Sequence, residues 1–381
     1  MHKGFNKQNY SKNGFMLDGR FAKRGYDWWW HSFTAVDDES GEEVPFFIEY
    51  FICNPGLKKS EPVLGQSEKA KAENAKPCYL MVKAGAWGKN KKQLHRFFSL
   101  GDVKISKTPF SVDTGIEGGC YADEKSIRGN ITVSKEDSEN NKGLMCDDGS
   151  IEWDLKLEKD VAFNVGYGTS WIFRKLKAFE MYWHAQGMKT FVSGKITFDG
   201  RKYTVKKEKS FGYADKHWGC GFTTPWVWLS SNDLVSSVTG KRLNDSVFDI
   251  GGGKPRVFGI PLNRKLLSAF WYEGKPYEFN FSKFWTFTKT KFSSEESDDE
   301  ILWHVMQETT KARMETEIRC KKEDMIFVNY EDPDGIKRFE RLWNGGNGYG
   351  IVKLYRKHGK NLELVDDIRC GHVGCEYGEF S

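Results

Sequence analysis

The sequence predicts an all-β protein of two antiparallel domains, each a β-barrel or a β-sandwich, with a short helix near mid-chain. Apolar and polar residues alternate along much of the chain, and this period of two is typical of strands. Aromatic residues make up 15% of the 381 residues, and so many rings require thick β cores or a ligand pocket. Glycine is frequent (39) and proline rare (10), which favours tight hairpin turns.

Two segments show the two kinds of strand expected in such a protein. Residues 44–53 are mostly apolar on both faces, with Glu49 as a carboxylate among them, and this predicts a strand between a core and a second buried surface. Residues 151–158 alternate apolar with charged side chains, so we expect one face of that strand to contact water.

Two other segments look like copies of one hairpin. Residues 198–205 read FDGRKYTV and residues 272–279 read YEGKPYEF. Each has an acidic residue and a glycine at the turn and an aromatic residue three positions later. Asp-Gly between alternating strands is a strong signal for a two-residue hairpin.

A helix is expected at one place near mid-chain. Ser170 is placed to cap a helix over residues 171–179, which carries apolar side chains along one side. Because this helix interrupts the strands, we place the domain boundary there, with an N-terminal domain over 1–180 and a C-terminal domain over 181–381.

Composition excludes several classes of protein. A net charge of only +5 argues against a nucleic-acid-binding protein. No apolar run is long enough to cross a bilayer, and the polar, basic residues 1–19 lack the apolar core of a signal peptide, so a cytoplasmic location is expected. The eight cysteines are scattered and should stay reduced. Cys370, His372 and Cys375 lie close together but lack a fourth ligand, so no metal site is expected.

Aromatic residues surround a few polar ones in three segments, 26–33, 180–187 and 210–219. The last places Asp215, Lys216 and His217 between aromatic rings, just before a predicted strand whose two tryptophans share a face. A carboxylic acid in apolar surroundings has a raised pKa and can hold a proton for delivery. The alternative is a structural ion pair between Asp215 and Lys216 at a strand end.

These segments carry a family resemblance. The Ser193-Gly194-Lys195-Ile196 run with its Asp-Gly turn, the Tyr213-x-Asp215-Lys216-x-Trp218-Gly219 block, and Trp226-x-Trp228 followed by Asn232 resemble the tocopherol cyclase family. The match covers roughly residues 180–235, with weaker echoes at 27–31, at 249–253 and around Tyr377. That family is similar in fold to carotenoid 1,2-hydratases, AttH-like proteins and fungal decalin-forming Diels–Alderases, so the resemblance implies two lipocalin-like domains.

The resemblance also implies a chemistry. Ring closure begins when an acid protonates a trisubstituted alkene, and the tertiary cation is captured by a phenol oxygen or, in a hydratase, by water. Such a site needs a dry pocket and aromatic faces, but no metal, nucleotide or redox cofactor. The resemblance makes Asp215 the acid, and Tyr213 and His217 are placed to be its hydrogen-bond partners. Glu49 and Asp249, carboxylates within otherwise apolar strands, are further catalytic candidates. The candidate substrate-binding residues are Trp218, Trp226, Trp228, Asn232, Trp30, His31, Trp183 and His184.

Three functions remain open at this point. The first is a cofactor-independent, tocopherol cyclase-like isomerase or hydratase of a hydrophobic prenylated molecule. The second is a non-catalytic lipid or isoprenoid carrier of lipocalin type, and the third is a carbohydrate-binding β protein. The expected partner is a lipid-like small molecule, with transient contact with a membrane surface and without nucleic acid. The discriminating observation is whether Asp215 faces an enclosed apolar cavity.

Overall fold

Strands dominate the computed structural model, which describes residues 5–6, 13–140, 142–163, 175–263 and 265–379. The helices in these residues are short, so the all-β prediction is confirmed. The α-helices are Arg20–Lys23, Glu68–Ala72 and Lys135–Asn140, and the 3-10 segments are Pro55–Leu57, Lys142–Leu144, Lys207–Lys209, Phe284–Thr286 and Lys322–Asp324. Within the described ranges, no helix has the length and apolar character needed to cross a membrane. Most of the predicted mid-chain helix, with its capping Ser170, lies outside the described residues.

Thirteen strands between Phe5 and Gly219 form one antiparallel sheet. Its strands are β1 (Phe5–Asn6), β2 (Tyr26–Asp37), β3 (Glu43–Cys53), β4 (Tyr79–Ala86), β5 (Lys92–Phe98), β6 (Lys104–Lys107), β7 (Phe110–Asp113), β8 (Tyr121–Asp123), β9 (Ser126–Val133), β10 (Gly149–Phe163), β11 (Met181–Phe198), β12 (Arg201–Val205) and β13 (Gly212–Gly219). The order is β5-β4-β3-β2-β12-β11-β10-β9-β8-β7-β6, and β13 pairs with both β11 and β2. The sheet curls until β5 lies against β9 and β10, which makes a barrel.

The remainder of the chain forms a second antiparallel sheet of 11 strands. Its strands are β14 (Trp226–Ser231), β15 (Asp233–Ser236), β16 (Val247–Gly253), β19 (Lys265–Tyr272), β20 (Lys275–Asn280), β21 (Lys289–Glu296), β22 (Glu300–Glu308), β23 (Ala312–Lys321), β24 (Met325–Glu331), β25 (Lys337–His358) and β26 (Asn361–Gly378). The order is β20-β19-β16-β14-β26-β25-β23-β22-β21, with β15 on β26 and β24 on β25. A small separate ribbon pairs β17 (Arg256–Val257) with β18 (Ile260–Pro261).

Three buried clusters of apolar residues follow from these two sheets. One fills the first barrel around Trp29 and Trp153, and another lies inside the second sheet around Trp303. The third lies between the sheets and draws aromatic residues from both, such as Trp28 and Trp228. The candidate site lies in this third cluster.

Strand β3 explains how one strand comes to be apolar on both faces. Phe46 and Ile48 point into the first barrel, whereas Phe47 and Phe51 belong to the cluster between the sheets. The sequence prediction for residues 44–53 is therefore confirmed. The prediction of one wet face for residues 151–158 is confirmed as well, because buried and exposed residues alternate there along β10.

Both predicted hairpins are present, linking β11 to β12 and β19 to β20. At their turns Asp199 and Gly200 have φ of 47° and 79°, and Glu273 and Gly274 have φ of 41° and 79°. Two consecutive residues with positive φ are the mark of the hairpin turn that matches strand twist.

The chain changes sheet between Gly219 and Trp226, and not near residue 180. Strands β11, β12 and β13 complete the first barrel, because β11 pairs with β10 and β13 bridges β11 and β2. The expected division into 1–180 and 181–381 therefore does not follow the sheets. Local alternation identifies these strands but does not reveal which sheet they join.

Candidate active site

Strand β13 divides its side chains between two environments. Tyr213 belongs to the cluster between the sheets, whereas Trp218 belongs to the interior of the first barrel. Because side chains of a strand alternate, Asp215 and His217 share the face of Tyr213, and Lys216 shares the face of Trp218. All of these residues are buried. Sequence neighbours on β13 therefore take part in different networks.

Lys216 forms its ion pair inside the barrel. Its Nζ lies 2.7 Å from Asp27 Oδ1 and 2.8 Å from the Gly14 carbonyl oxygen, and both charged side chains are fully buried. The ammonium also lies over the ring of Trp29, 4.7 Å from its centroid. The alternative hypothesis of a structural Asp215–Lys216 pair is therefore wrong, because the two side chains point to opposite faces of the sheet.

Asp215 is held by three donors on one oxygen. Its Oδ2 accepts hydrogen bonds from Trp183 Nε1 at 2.8 Å, from the Tyr213 hydroxyl at 3.0 Å and from His217 Nε2 at 3.0 Å. The other oxygen, Oδ1, is buried and has no hydrogen-bond partner among the described residues. One side of this carboxylate is thus fixed, while the other is available to a ligand.

Asp249 approaches the same place from the second sheet. Its Oδ2 lies 3.1 Å from the Tyr213 hydroxyl, and its Oδ1 accepts from Trp228 Nε1 at 3.2 Å. Burial, with the nearby charge of Asp215 as the second cause, raises the pKa of Asp249 well above its usual value. Asp249 therefore keeps its proton under conditions where an ordinary aspartate is ionised.

The Tyr213 hydroxyl joins these two carboxyl groups into one line. A hydroxyl carries a single hydrogen, so it cannot donate to both Asp215 and Asp249. With Asp249 protonated, Asp249 donates to the Tyr213 oxygen, and Tyr213 donates to Asp215 Oδ2. The result is a directed proton line, Asp249 to Tyr213 to Asp215, that crosses from the second sheet to the first.

A small cavity of about 20 Å³ lies beside Asp215. It is lined by Trp28, Trp30, Asp215, His217, Trp226, Trp228, Tyr330 and Glu376. The His217 ring packs among indoles, tilted against Trp28 at 4.5 Å between centroids, edge-on to Trp226 at 5.4 Å and stacked on Trp183 at 5.9 Å. Aromatic faces are suited to stabilising a cation. The sequence-based expectation was an enclosed apolar cavity facing Asp215. The cavity found here has indole walls, but Asp215, His217 and Glu376 also line it.

A second, more apolar cavity of about 70 Å³ lies next to the first and shares the Trp226 indole with it. Its lining residues are Phe179, Met181, Tyr182, Trp183, Thr223, Trp226, Gly251, Gly252, Gly253, Pro255, Lys265, Leu267, Phe281 and Ser282. Gly251 packs directly against the Trp183 ring, where an added Cβ would lie 2.7 Å from the nearest ring atom. Trp183 thus links this apolar cavity to Asp215.

Glu49 lies on the same face of the first sheet, two strands from Asp215. Lys83, Glu49, Trp30 and Asp215 are paired in register across β4, β3, β2 and β13. Glu49 Oε2 lies 3.0 Å from Lys83 Nζ, and both side chains are fully buried. Burial raises the pKa of Glu49 and the Lys83 charge opposes this. The Lys83 ammonium also lies 4.6 Å from the centroid of the Tyr330 ring.

Four of the candidate substrate-binding residues line neither cavity: Trp218, His184, His31 and Asn232. Trp218 stacks on Tyr182 inside the barrel at 5.3 Å. His184 Nε2 lies 3.0 Å from Asn13 Oδ1, and burial lowers the pKa of His31 to about 3. Both histidines occupy the face of β2 and β11 that is turned away from Asp215. Asn232, between β14 and β15, donates to the Gly212 carbonyl at 2.9 Å and so ties the second sheet to β13.

Three cavity residues are absent from the predicted site: Trp28, which lies in the aromatic segment 26–33, and Tyr330 and Glu376, which lie outside the three aromatic segments. Glu376 accepts hydrogen bonds from Trp226 Nε1 and from Asn344, and burial raises its pKa to about 7. The signal available was the echo around Tyr377, the next residue along β26. Nothing local indicated that β26 pairs with β14 and so brings Glu376 to Trp226.

The described residues contain no group of three or more histidine, cysteine and acidic side chains that could hold a metal ion. In the C-terminal cluster, His372 Nδ1 lies 2.6 Å from Asp233 Oδ2 and its Nε2 lies 3.2 Å from Glu43 Oε2. Cys370 and Cys375 are buried in the second sheet.

Comparison with known proteins identifies the family. Kievitone hydratase from Nectria haematococca is 12% identical, with 100% of this chain and 98% of that chain covered and a TM-score of 0.49. CghA, solved with Sch210972, is 11% identical over 99% and 98% of the two chains with a TM-score of 0.45. A putative AttH protein from Nitrosomonas europaea is 11% identical over 95% and 94%, with a TM-score of 0.40. No curated protein matches significantly. The model of the family described as Tocopherol cyclase-like matches residues 75–378, most of the chain, and the protein therefore belongs to the tocopherol cyclase-like family.

Proposed function

We propose that this protein is a cyclase or hydratase that protonates an alkene of a hydrophobic, prenylated small molecule. The observation that carries the proposal is the Tyr213 hydroxyl, which lies within 3.1 Å of both Asp215 and Asp249 beside a cavity walled by indoles. A buried, protonated carboxyl group connected to a second carboxyl group is an acid held ready in a dry site. Membership of the tocopherol cyclase-like family supports the same class of reaction.

The proton line assigns a role to each of its three residues. Asp215 is the group that touches the alkene, because its Oδ1 is free of partners in the described part of the chain and its side chain lines the cavity. Asp215 delivers its proton from Oδ1, and the Tyr213 hydroxyl stabilises the carboxylate that remains through its hydrogen bond to Oδ2. Asp249 orients that hydroxyl by donating to its oxygen. Addition of the proton to the alkene leaves a tertiary cation. When an oxygen nucleophile bonds to that cation it releases a proton, which returns to Asp215 Oδ1 and completes the cycle.

The surrounding rings stabilise the cation. Trp28, Trp226 and Trp228 line the cavity, and each is buried. A cation over an aromatic face gains about 2 kcal/mol or more where water is excluded. The adjacent apolar cavity, which shares Trp226, suits the hydrocarbon part of the substrate. Its small volume means that a long prenyl chain has to extend beyond it or widen it.

The carrier and carbohydrate hypotheses fit the described structure less well. A lipocalin-type carrier binds its ligand inside a barrel, but the first barrel is filled by side chains such as Trp29 and by the buried pair of Asp27 and Lys216. A sugar-binding protein presents tryptophan rings on its surface. The tryptophans around Asp215 are buried instead, with Trp226 only 7% exposed.

The direct test is incubation with a panel of prenylated quinols and polyenes, followed by mass spectrometry of bound and released material. We expect at least one compound to give either an isomer of unchanged mass or a product heavier by one water. The same compound should remain unchanged with Asp215→Asn protein. Tight binding of the panel without conversion by the wild-type protein would favour the carrier and contradict the proposal.

A further inference from the structure

We propose that the rim of the apolar cavity beside Trp226 docks on the surface of an anionic phospholipid bilayer. The rim consists of two segments. Residues 254–265 contain the ribbon of β17 and β18 and are called the ribbon loop, and residues 282–289 contain the 3-10 segment Phe284–Thr286 and are called the 3-10 loop. The proposal names a partner surface and does not depend on the reaction beside Asp215.

The apolar cavity extends from the interior of the protein towards its surface. Its inner wall includes the buried rings of Trp183 and Trp226. Other lining residues are partly exposed, among them Pro255, Lys265, Phe281 and Ser282. Pro255 and Lys265 belong to the ribbon loop, and Ser282 begins the 3-10 loop. Both loops therefore lie on the side where the cavity approaches the surface.

Each loop exposes large apolar side chains. Phe258 and Ile260 of the ribbon loop are 59% and 67% exposed. Trp285 and Phe287 of the 3-10 loop are 59% and 70% exposed. Exposed apolar side chains that are grouped together, in contrast to single ones, mark a site of interaction with another molecule or with a membrane.

These exposed residues are tied to the cavity by short stretches of chain. Phe258 follows Pro255 by three residues, and Trp285 follows Ser282 by three residues. Because three residues span at most about 11 Å, each lies close to a residue that lines the cavity. The ribbon loop is also fixed from its other side, since the backbone N–H of Phe258 donates to the Ala178 carbonyl at 2.8 Å. The apolar side chains of both loops therefore border one opening.

Positive charge is concentrated in the same two loops. Neither loop contains an acidic residue, although the whole chain has a net charge of only +5. Their basic residues are Lys254, Arg256, Arg264, Lys265, Lys283 and Lys289. Two of these pair with acidic residues outside the loops, Arg256 with Glu180 at 3.9 Å and Lys283 with Glu278 at 2.6 Å. A positive excess remains around the opening.

This combination fits an anionic bilayer. Aromatic rings enter the headgroup region, and lysine and arginine side chains attract the anionic lipids around them. A second copy of this chain would place like charges against each other, which disfavours self-association through this surface. A docked rim would let a hydrophobic molecule pass from the bilayer into the apolar cavity without crossing water.

The test is flotation with two kinds of vesicle, pure phosphatidylcholine and phosphatidylcholine mixed with phosphatidylserine. We expect the wild-type protein to bind the mixed vesicles more strongly than the neutral ones, and this binding to weaken as salt is added. Absence of binding to the mixed vesicles at low salt would overturn the proposal. The result is independent of turnover, so the proposed function can hold where the docking proposal fails.

The apolar part of the surface is tested with Trp285→Ala, and with Phe287→Ala as a second variant should the first fail to fold. We expect partitioning into mixed vesicles to fall at least about tenfold, because the variant buries one large ring fewer. The matched control is Tyr349→Ala, which removes an exposed ring from β25 at a position that lines neither cavity. Equal losses in the variant and the control would contradict docking through the rim.

The charged part is tested with Lys254→Gln. We expect binding to mixed vesicles to fall about fivefold, the contribution of one lysine near an anionic surface, with binding to neutral vesicles unchanged. The control is Lys360→Gln, an exposed lysine in the turn after β25. An equal fall in the control would mean that overall charge, and not this surface, attracts the lipid.

Sedimentation velocity without vesicles examines the other occupant, a second copy of the chain. We expect wild-type and Trp285→Ala proteins to have the same oligomeric state. A wild-type dimer that becomes monomeric in Trp285→Ala protein would assign the surface to self-association and overturn the proposal.

Discussion

Tyr213 and Asp249 meet across the gap between two sheets, with the tyrosine hydroxyl 3.1 Å from Asp249 Oδ2. Tyr213 belongs to β13 of the first sheet and Asp249 to β16 of the second. The proton line that ends at Asp215 therefore exists only when the two sheets are packed together. Packing of the two sheets therefore brings the candidate catalytic groups together and also buries apolar surface.

The acid can be tested with Asp215→Asn, which keeps the shape of the side chain and removes its acid group. We expect turnover of a converted substrate to fall by about 10²- to 10⁴-fold, the usual effect of losing a general acid. The melting temperature should change little, because Lys216 keeps its partner Asp27. Both quantities are measured on the same protein. Wild-type turnover in a stable Asp215→Asn protein would exclude this acid, and Glu49 would be examined next.

The buried pair inside the barrel predicts a large effect on stability. Asp27→Asn leaves the Lys216 ammonium, which is fully buried, without its counter-ion. Breaking such a pair costs about 3–5 kcal/mol of unfolding free energy, which chemical denaturation measures. The control is Glu68→Gln, since Glu68 and Lys71 form an exposed pair at 3.4 Å that should contribute less than about 0.5 kcal/mol. Equal effects of the two variants would contradict this assignment.

Glu376 predicts a pH dependence of stability. Burial raises its pKa from 4.5 to about 7, so the folded protein holds the proton more tightly than the unfolded chain. The resulting stabilisation is complete below pH 4.5 and is lost as the pH rises to about 7. Over that window it amounts to about 3–4 kcal/mol, at about 1.4 kcal/mol per pKa unit.

The corresponding variant is Glu376→Gln, which does not titrate. Denaturation curves at several values between pH 4.5 and 8 should show that the wild-type protein loses more stability with rising pH than the variant does. Glu331, whose pKa is also raised to about 7, is present in both proteins and cancels in the comparison. Parallel curves for the two proteins would show that Glu376 is not protonated preferentially in the folded state.

The role of Trp183 in orienting Asp215 can be tested by a substitution at Gly251, which packs against the Trp183 ring. Gly251→Ala places a Cβ 2.7 Å from the Trp183 ring and forces the indole to move. Because the indole N–H donates to Asp215, this movement disturbs that hydrogen bond. We expect turnover to fall at least about tenfold, because a misplacement of about 1 Å in a catalytic site can cost 100-fold. Gly143→Ala is the control, since an added Cβ there meets nothing within 4 Å. Wild-type turnover in Gly251→Ala protein would mean that Trp183 does not orient Asp215.

Alternation along single strands was readable from the sequence because it depends only on backbone geometry. Both buried faces of β3 were predicted, as were the hairpins at Asp199-Gly200 and Glu273-Gly274. The same alternation places Asp215 and Lys216 on opposite faces of β13. The hypothesis of an Asp215–Lys216 ion pair did not take this into account. Parity likewise accounts for Trp218, which lies on the Lys216 face and away from the cavity.

What the sequence by itself determined is the class of fold, the family and the central segment of the site, since Tyr213, Asp215 and His217 lie within five residues of each other. The tertiary structure alone decided which distant groups meet them. Asp249 and Glu376 reach the cavity through strand pairings of β16 and β26 with β14, and Tyr330 reaches it through β24. The change of sheet after Gly219 was decided in the same way. The physical reason is that periodicity specifies the face on which a side chain lies, whereas the partner of that face depends on long-range hydrogen bonds and packing that no local pattern records.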